Sequence, residues 1–321
     1  CGVWFSSKKH LAAIMQTLFS AAELQNADEV LHSSLLQNLI KKDARRLDIL
    51  TEFFRASAIP YSVVSLKQHR HCIVRFEKKY YSSNMGIKTL MAHYDRAGNE
   101  FGVNDNTSAC VQLAFFAKEL LDKDKPHNIQ LIFTDGEELD KKSITEQGSF
   151  LLGLGLRELN LHREQTVFVF DLCGSGDTLI FSDAGIFSRD AEKVRMLKSL
   201  QKRAMQYAAK ASLPALVLPT AFSDNAGLLA SGITAQLITV LPKAEAVQFQ
   251  SVLKQLQSKL STEKFNELVK TSVIESGGSE AFEKVKPATW KTMHTADDRF
   301  ERLNVEAFAL IRRYLEELAH D

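Results

Sequence analysis

Three apolar runs in this sequence end on residues that can ligate a metal ion or move a proton. Ile87 to Ala92 stops at His93, Ile129 to Thr134 runs into Asp135-Gly136-Glu137-Glu138, and Thr166 to Phe170 stops at Asp171. A buried strand has no structural need to finish on an acid, and an isolated case is ordinarily a helix cap or a solvated turn. Three such ends together point to a polar site. Imidazole and carboxylate serve general acid–base work and zinc ligation alike, so the residue types by themselves leave both chemistries open. Asp105 lies in Gly102-Val103-Asn104-Asp105-Asn106-Thr107-Ser108, directly before a helical pattern, where on its own it would be a capping residue.

The elements that must position these residues alternate between β and α. Tyr61–Leu66, His71–Phe76, Ile87–Ala92, Ile129–Thr134 and Thr166–Asp171 read as strands, and Asn106–Leu121 as an amphipathic helix. This pattern predicts an α/β fold: a single domain with a mostly parallel or mixed central sheet flanked by helices. Ligands of such open sheets bind in the crevice beyond the carboxyl ends of strands, which is where the candidate residues fall. Residues 1–60 read as a helical segment packed on the rest, with Lys9–Ala22 and Ala27–Ala56 at helical spacing and Pro60 closing the region. The segment covers its own sheet or faces another subunit, the first being the commoner outcome. Residues 61–321 form the domain that carries the site. Within it, 243–290 reads as a helical insertion (Ala244–Leu260, Thr262–Ser272, then Glu275-Ser276-Gly277-Gly278-Ser279), either a surface hairpin or a lid. Trp290 would line a pocket there or pack in the core.

Composition excludes several classes. The 321 residues are 45% hydrophobic and 25% charged, enough for a large core. A net charge of +1 gives no field to draw nucleic acid or an anionic membrane, and the apolar runs are far shorter than a membrane span. The basic cluster Lys41, Lys42, Arg45 and Arg46, balanced by neighbouring Asp residues, reads as a solvated helix face. Four cysteines without CxxC spacing argue against a disulfide framework. The expectation is a soluble protein. Cys1, with no methionine before it, is either the lipid-bearing first residue of an exported protein or the point where a longer chain is cut, and the helical residues after it favour the cut.

Six segments occur in one order: Ala92-His93-Tyr94-Asp95, Val103-Asn104-Asp105-Asn106, Asp135-Gly136-Glu137-Glu138, Asp171, Phe222-Ser223-Asp224 and His294-Thr295. In this the chain, from about His71 to Asn304, resembles the zinc aminopeptidases that include bacterial leucyl aminopeptidases, relatives of glutaminyl cyclases and glutamate carboxypeptidase-like proteins. A lone HxD or EE arises often by chance, whereas six in order are specific. The resemblance implies two zinc ions, one held by His93 and Asp171, the other by Glu138 and His294, with Asp105 bridging them. Asp95 would fix the tautomer of His93, Asp298 would give similar support near His294, and Glu137 would be the general base. The implied reaction is removal of N-terminal residues from peptides with a free N-terminus, through a hydroxide shared by the two ions.

Two departures bear on the substrate. Asn225 stands after Ser223-Asp224 where the family frequently has His, and Leu139 to Gln147 form a longer link than in many aminopeptidases. That link, with His294-Thr295-Ala296-Asp297-Asp298, is similar to the glutaminyl cyclases. In this alternative a single zinc is held by Asp105, Glu138 and His294, and Glu137 shuttles a proton during cyclisation of an N-terminal glutamine. A receptor-like protein on the same fold is the third reading, although every implied ligand and the implied base are present.

Overall fold

The computed structural model describes residues 18–82, 84–98, 101–138, 143–187, 190–270 and 286–320. Its strands are β1 (Tyr61–Leu66), β2 (His69–Arg75), β3 (Ile87–His93), β4 (Ile129–Thr134), β5 (Gln165–Phe170), β6 (Thr178–Ser182), β7 (Ala215–Leu218) and β8 (Ala235–Leu241). They form one mixed sheet in the order β1-β2-β4-β3-β5-β8-β6-β7. The four central strands, β4, β3, β5 and β8, run parallel. β4 and β8 are buried at every position, as strands covered on both faces must be, which explains their unbroken apolar runs. The chain leaves β3 for β4 on one side and then forms β5 on the other, so a topological switch point lies at the end of β3. His93 pairs opposite Thr134 there. Asp171, one residue past β5, donates its N–H to Ile238 of β8 at 3.1 Å, so the strand ends are level.

The helices are α1 (Ala21–Leu31), α2 (Ser34–Leu39), α3 (Arg46–Ala56), α4 (Ser108–Lys123), α5 (Gly148–Glu158), α6 (Ala191–Lys210), α7 (Asp224–Ala230), α8 (Lys243–Lys259), α9 (Thr262–Val269), α10 (Ala288–Lys291) and α11 (Val305–His320). Val111, Leu113, Ala114 and Ala117 of α4 join Phe54, Phe133, Phe168 and Tyr314 in the main core on one face of the sheet. Met91, Ile132, Val169 and Leu228 form a smaller core. Arg313 and Glu23, 2.6 Å apart, tie α11 to α1. Among the described residues no helix is long and apolar enough to cross a membrane. Cys72, Cys110 and Cys173 are free and buried.

Three details differ from the sequence expectation or lie beyond it. The leucine-rich stretch Ala27–Ala56 is not one helix but parts of three. Ser33 accepts the Leu36 N–H and starts α2 anew, and a turn closed by Ala44 N–H to Lys41 O separates α2 from α3, so local caps override apolar periodicity. β6, β7, β8 and α6 were not anticipated. In the 243–290 region α8 and α9 form as expected, whereas the glycine-containing Glu275–Ser279 stretch lies outside the described residues, as do most of Lys9–Ala22 and part of the link after Glu138.

Candidate metal centre

The structure brings the five candidate ligands together at the switch point. His93 is fully buried, and its Nε2 lies 3.4 Å from Asp105 Oδ1 and 3.6 Å from Asp171 Oδ1. The other Asp105 oxygen, Oδ2, lies 3.1 Å from His294 Nε2, which is itself 3.0 Å from Glu138 Oε2. One carboxylate therefore touches two donor sets, one through each oxygen. Glu137 is beside them, its carboxylate within 4.8 Å of donor atoms of His93 and Glu138.

The loops that carry several of these residues are braced by further carboxylates. The Asp95 carboxylate accepts the backbone N–H groups of Glu137 at 3.3 Å and Glu138 at 3.0 Å and stands 3.5 Å from His93 Nδ1. It thereby joins the end of β3 to the loop after β4. Asp298 supports a different residue than expected: its two oxygens accept the N–H groups of Asn104 at 2.7 Å and Asp105 at 3.0 Å, so it braces the Asp105 loop rather than His294. The Asn106 amide donates to Phe170 O at 2.8 Å and fastens that loop to the end of β5. Gly136, at φ +74°, lets the loop after β4 pass over the His69 ring, where a Cβ would come within 2.1 Å of the imidazole. His294 itself adopts φ +57°, a left-handed conformation that costs a non-glycine residue about 1–3 kcal/mol and is concentrated at functional sites.

Among the described residues, six carboxylates (Asp95, Asp105, Glu137, Glu138, Asp171 and Asp224) share this space with the His93 and His294 imidazoles and the Arg46 guanidinium behind them, and the titration of the groups reflects the imbalance. Burial alone would push the His93 imidazole down, yet Asp105, Asp171 and Asp95 hold it well above its ordinary value. The Asp105 and Glu138 carboxylates, 3.1 and 3.0 Å from its Nε2, push His294 up to about 11. Burial raises Glu137 far above the usual carboxylate range, with Glu138, Asp171 and Asp224 adding to it and His93 opposing. Burial likewise pushes Asp224 up to about 6. Buried negative charge in this excess calls for further cations.

The donor atoms fit a divalent metal ion. His93 Nε2, Asp105 Oδ2, Asp171 Oδ1 and Glu138 Oε1 are buried without an aligned hydrogen bond, although several stand in close contact. Two ligands of one tetrahedral zinc, at 2.0–2.1 Å each, lie roughly 3.3 Å apart. The observed separations of 3.0–3.6 Å bracket that value.

Several further residues complete the site. Gln147 donates to Glu137 Oε1 at 3.2 Å and is itself fixed by Ser149 Oγ at 3.0 Å, so the rotation of the Glu137 carboxylate is set by protein contacts. Asp224 is fully buried and bonded to Thr134 Oγ1. Arg46 corrects the reading of its cluster as a solvated face: it is buried, because backbone carbonyls of the site's loops surround its guanidinium. Next to Asp171 opens a pocket walled by Leu172, Phe222, Phe249, Trp290 and Met293. Trp290 both lines it and packs edge-on against Phe249, with ring centroids 5.5 Å apart. The two hydroxyls at the cavity are engaged within the protein, Thr220 with Ser182 Oγ and Ala221 O at 2.8 Å and Thr239 with Leu172 O at 3.2 Å.

Among curated proteins, none matches this sequence. Solved structures share the fold. The glutaminyl cyclase of Bacteroides thetaiotaomicron, bound to N-acetylhistamine, superposes with a TM-score of 0.59 at 13% identity, over 92% of this chain and 97% of that one. For the Acidobacteriales bacterium glutaminyl cyclase the TM-score is 0.56 at 15% identity, over 93% and 94%. The Legionella pneumophila LapA aminopeptidase gives 0.53 at 14% identity, over 98% of this chain and 75% of that one. The profile of peptidase family M28 matches residues 73–319, a span that contains His93, Asp105, Glu138, Asp171 and His294, and by that match the chain belongs to this family.

Proposed function

We propose that the protein is a zinc-dependent aminopeptidase that removes N-terminal residues from peptides. The observation that carries this reading is the Asp105 carboxylate, whose two oxygens face separate donor sets. His93 and Asp171 would hold one zinc ion and Glu138 and His294 the other, with Asp105 shared between them. When bound, zinc supplies Lewis acidity, lowering the pKa of a water toward about 7 and polarising a carbonyl.

The chain's own residues do the rest. Glu137, with one oxygen fixed by Gln147, takes the proton of the attacking water and returns it to the departing amine. The surplus of carboxylates favours a free α-ammonium group beside the centre and hence a chain end. The cavity next to Asp171 receives the first side chain. Its walls are mostly aromatic and aliphatic, with Asp171 and Lys286 the charged residues among them, and its hydroxyls are already bonded, so a Leu, Met or Phe side chain is favoured over a neutral polar one.

A second reading rests on the agreement in fold with glutaminyl cyclases over nearly the whole of both chains. In it Asp105, Glu138 and His294 hold a single zinc ion, and Glu137 moves a proton as an N-terminal glutamine cyclises. Metal analysis combined with a screen of aminoacyl and glutaminyl substrates separates the two. Two zinc ions per chain with release of free N-terminal Leu, Met or Phe is the expected result. One ion with ammonia released from glutaminyl peptides would establish the cyclase instead, and bound metal with neither activity would overturn both.

A further inference from the structure

We propose that Arg46 is a positioning residue for the metal centre, its guanidinium setting the spacing between the strand end that carries His93 and the loop that carries Asp105. All five N–H groups of this buried side chain go to backbone carbonyls. Nε donates to Leu39 O at 3.2 Å. Nη1 donates to Tyr94 O at 3.0 Å and Asp95 O at 3.2 Å, the two residues after His93. Nη2 donates to Phe101 O at 2.8 Å and Gly102 O at 3.3 Å, just before Asp105. One planar group thus grips both ligand-bearing segments and anchors them to the end of α2.

Neighbouring contacts bear on the same spacing. Gly102 adopts φ +56°, and a Cβ there would lie 2.6 Å from Asp105 O and 3.3 Å from Arg46 Nη2, so the backbone comes close enough to the guanidinium only as glycine. Arg96, in the loop after β3, donates back to Lys41 O at 3.2 Å and to Lys42 O, which ties that loop to the turn before α3. Asp95, whose carbonyl Arg46 holds, is the residue whose carboxylate fixes the N–H groups of Glu137 and Glu138. A shift at Arg46 is therefore passed to the base as well as to the ligands. Arg46 precedes residues 73–319, so this grip comes from outside the span that the family profile matches.

Five donors in a rigid fork are specific to arginine; lysine offers three from a single point and cannot reach both segments. The inference rests on the proposed zinc centre, and the test is a zinc competition titration of the wild-type chain and Arg46→Lys, paired with thermal unfolding of each after chelation. Loss of partners that orient metal ligands typically lowers affinity 10–100-fold. The expected result is a drop of at least about tenfold in zinc affinity in a variant that is still folded after chelation, its unfolding temperature lowered by the lost hydrogen bonds but above the temperature of the titration. Arg312→Lys, which alters an ion pair with Glu119 in another part of the fold, should leave zinc affinity unchanged. Unaltered affinity in Arg46→Lys overturns the inference while leaving the metal centre standing. A drop in affinity found only at temperatures where the chelated variant is already unfolding also overturns it, because Arg46 would then serve the fold alone. Wild-type protein that takes up no zinc overturns the centre and the inference together. Should Arg46→Lys fail to fold, Arg46→Gln, uncharged but still a donor of two N–H groups, is titrated in its place with the same expected loss.

Discussion

His71 couples the stability of the sheet to pH. Its ring is fully buried on β2, and Nδ1 accepts the Asp135 N–H at 3.3 Å, a bond that only a ring with an unprotonated Nδ1 can make. Burial, reinforced by His69 and opposed by Asp95, pushes its pKa down to about 4. An unfolded histidine titrates near 6.5, so between about pH 4 and 6.5 the unfolded chain binds more protons and stability falls as pH drops. At pH 5 about 97% of unfolded but only about a tenth of folded rings are protonated, which amounts to about 2 kcal/mol relative to neutral pH. His71→Gln removes the titration and keeps an acceptor for the Asp135 N–H. Urea unfolding of both proteins, chelated to remove metal, at about pH 7.5 and pH 5 should give a loss about 2 kcal/mol larger for the wild type than for the variant. Other titrating groups are common to both and cancel in the comparison. Equal losses would refute the reasoning, since the folded ring would then take up a proton as easily as the unfolded one.

Two further substitutions probe the site directly. Glu137→Gln should reduce turnover by about 10²–10⁴-fold while zinc content stays at the wild-type level, and a fully active variant would remove Glu137 from the proton path. Gly136→Ala places a methyl group 2.1 Å from the His69 ring at φ +74° and should destabilise the fold by about 1–3 kcal/mol in thermal unfolding, with activity falling alongside; wild-type stability and kinetics would mean that the ring moves aside freely.

The parts of this site that were legible in the sequence are those where a long apolar run breaks off into charge. β3, β4 and β5 are buried along most of their length, so the polar residues at their ends stood out. Asp105 and His294 have no such frame: one lies in an irregular loop and the other in a turn, and only the order of motifs pointed to them. Arg46 was misjudged because the burial of a charge is decided by carbonyls about 50 residues away in the chain, and nothing in its local pattern of basic residues signals them. The helix boundaries within Ala27–Ala56 were hidden for the opposite reason, since the apolar spacing continues across breaks made by a single serine cap and a short turn. β7 has four residues, three of them only partly buried, and carries too few positions for any periodicity to register.

The brace between Asp298 and the Asp105 loop spans 193 residues of sequence. During synthesis, the segment that completes the centre emerges long after the strands that hold its other half. Strands β1 to β8 are all made before either His294 or Asp298. Closing so long a loop carries an entropic penalty that grows only slowly with length, so the delay adds little to the final folding equilibrium. It does impose an order of events: a chain terminated before His294 lacks both the brace on the Asp105 loop and α11, which supplies Phe308 and Tyr314 to the main core, so the candidate centre and the core are completed together, by the last stretch of chain to be made.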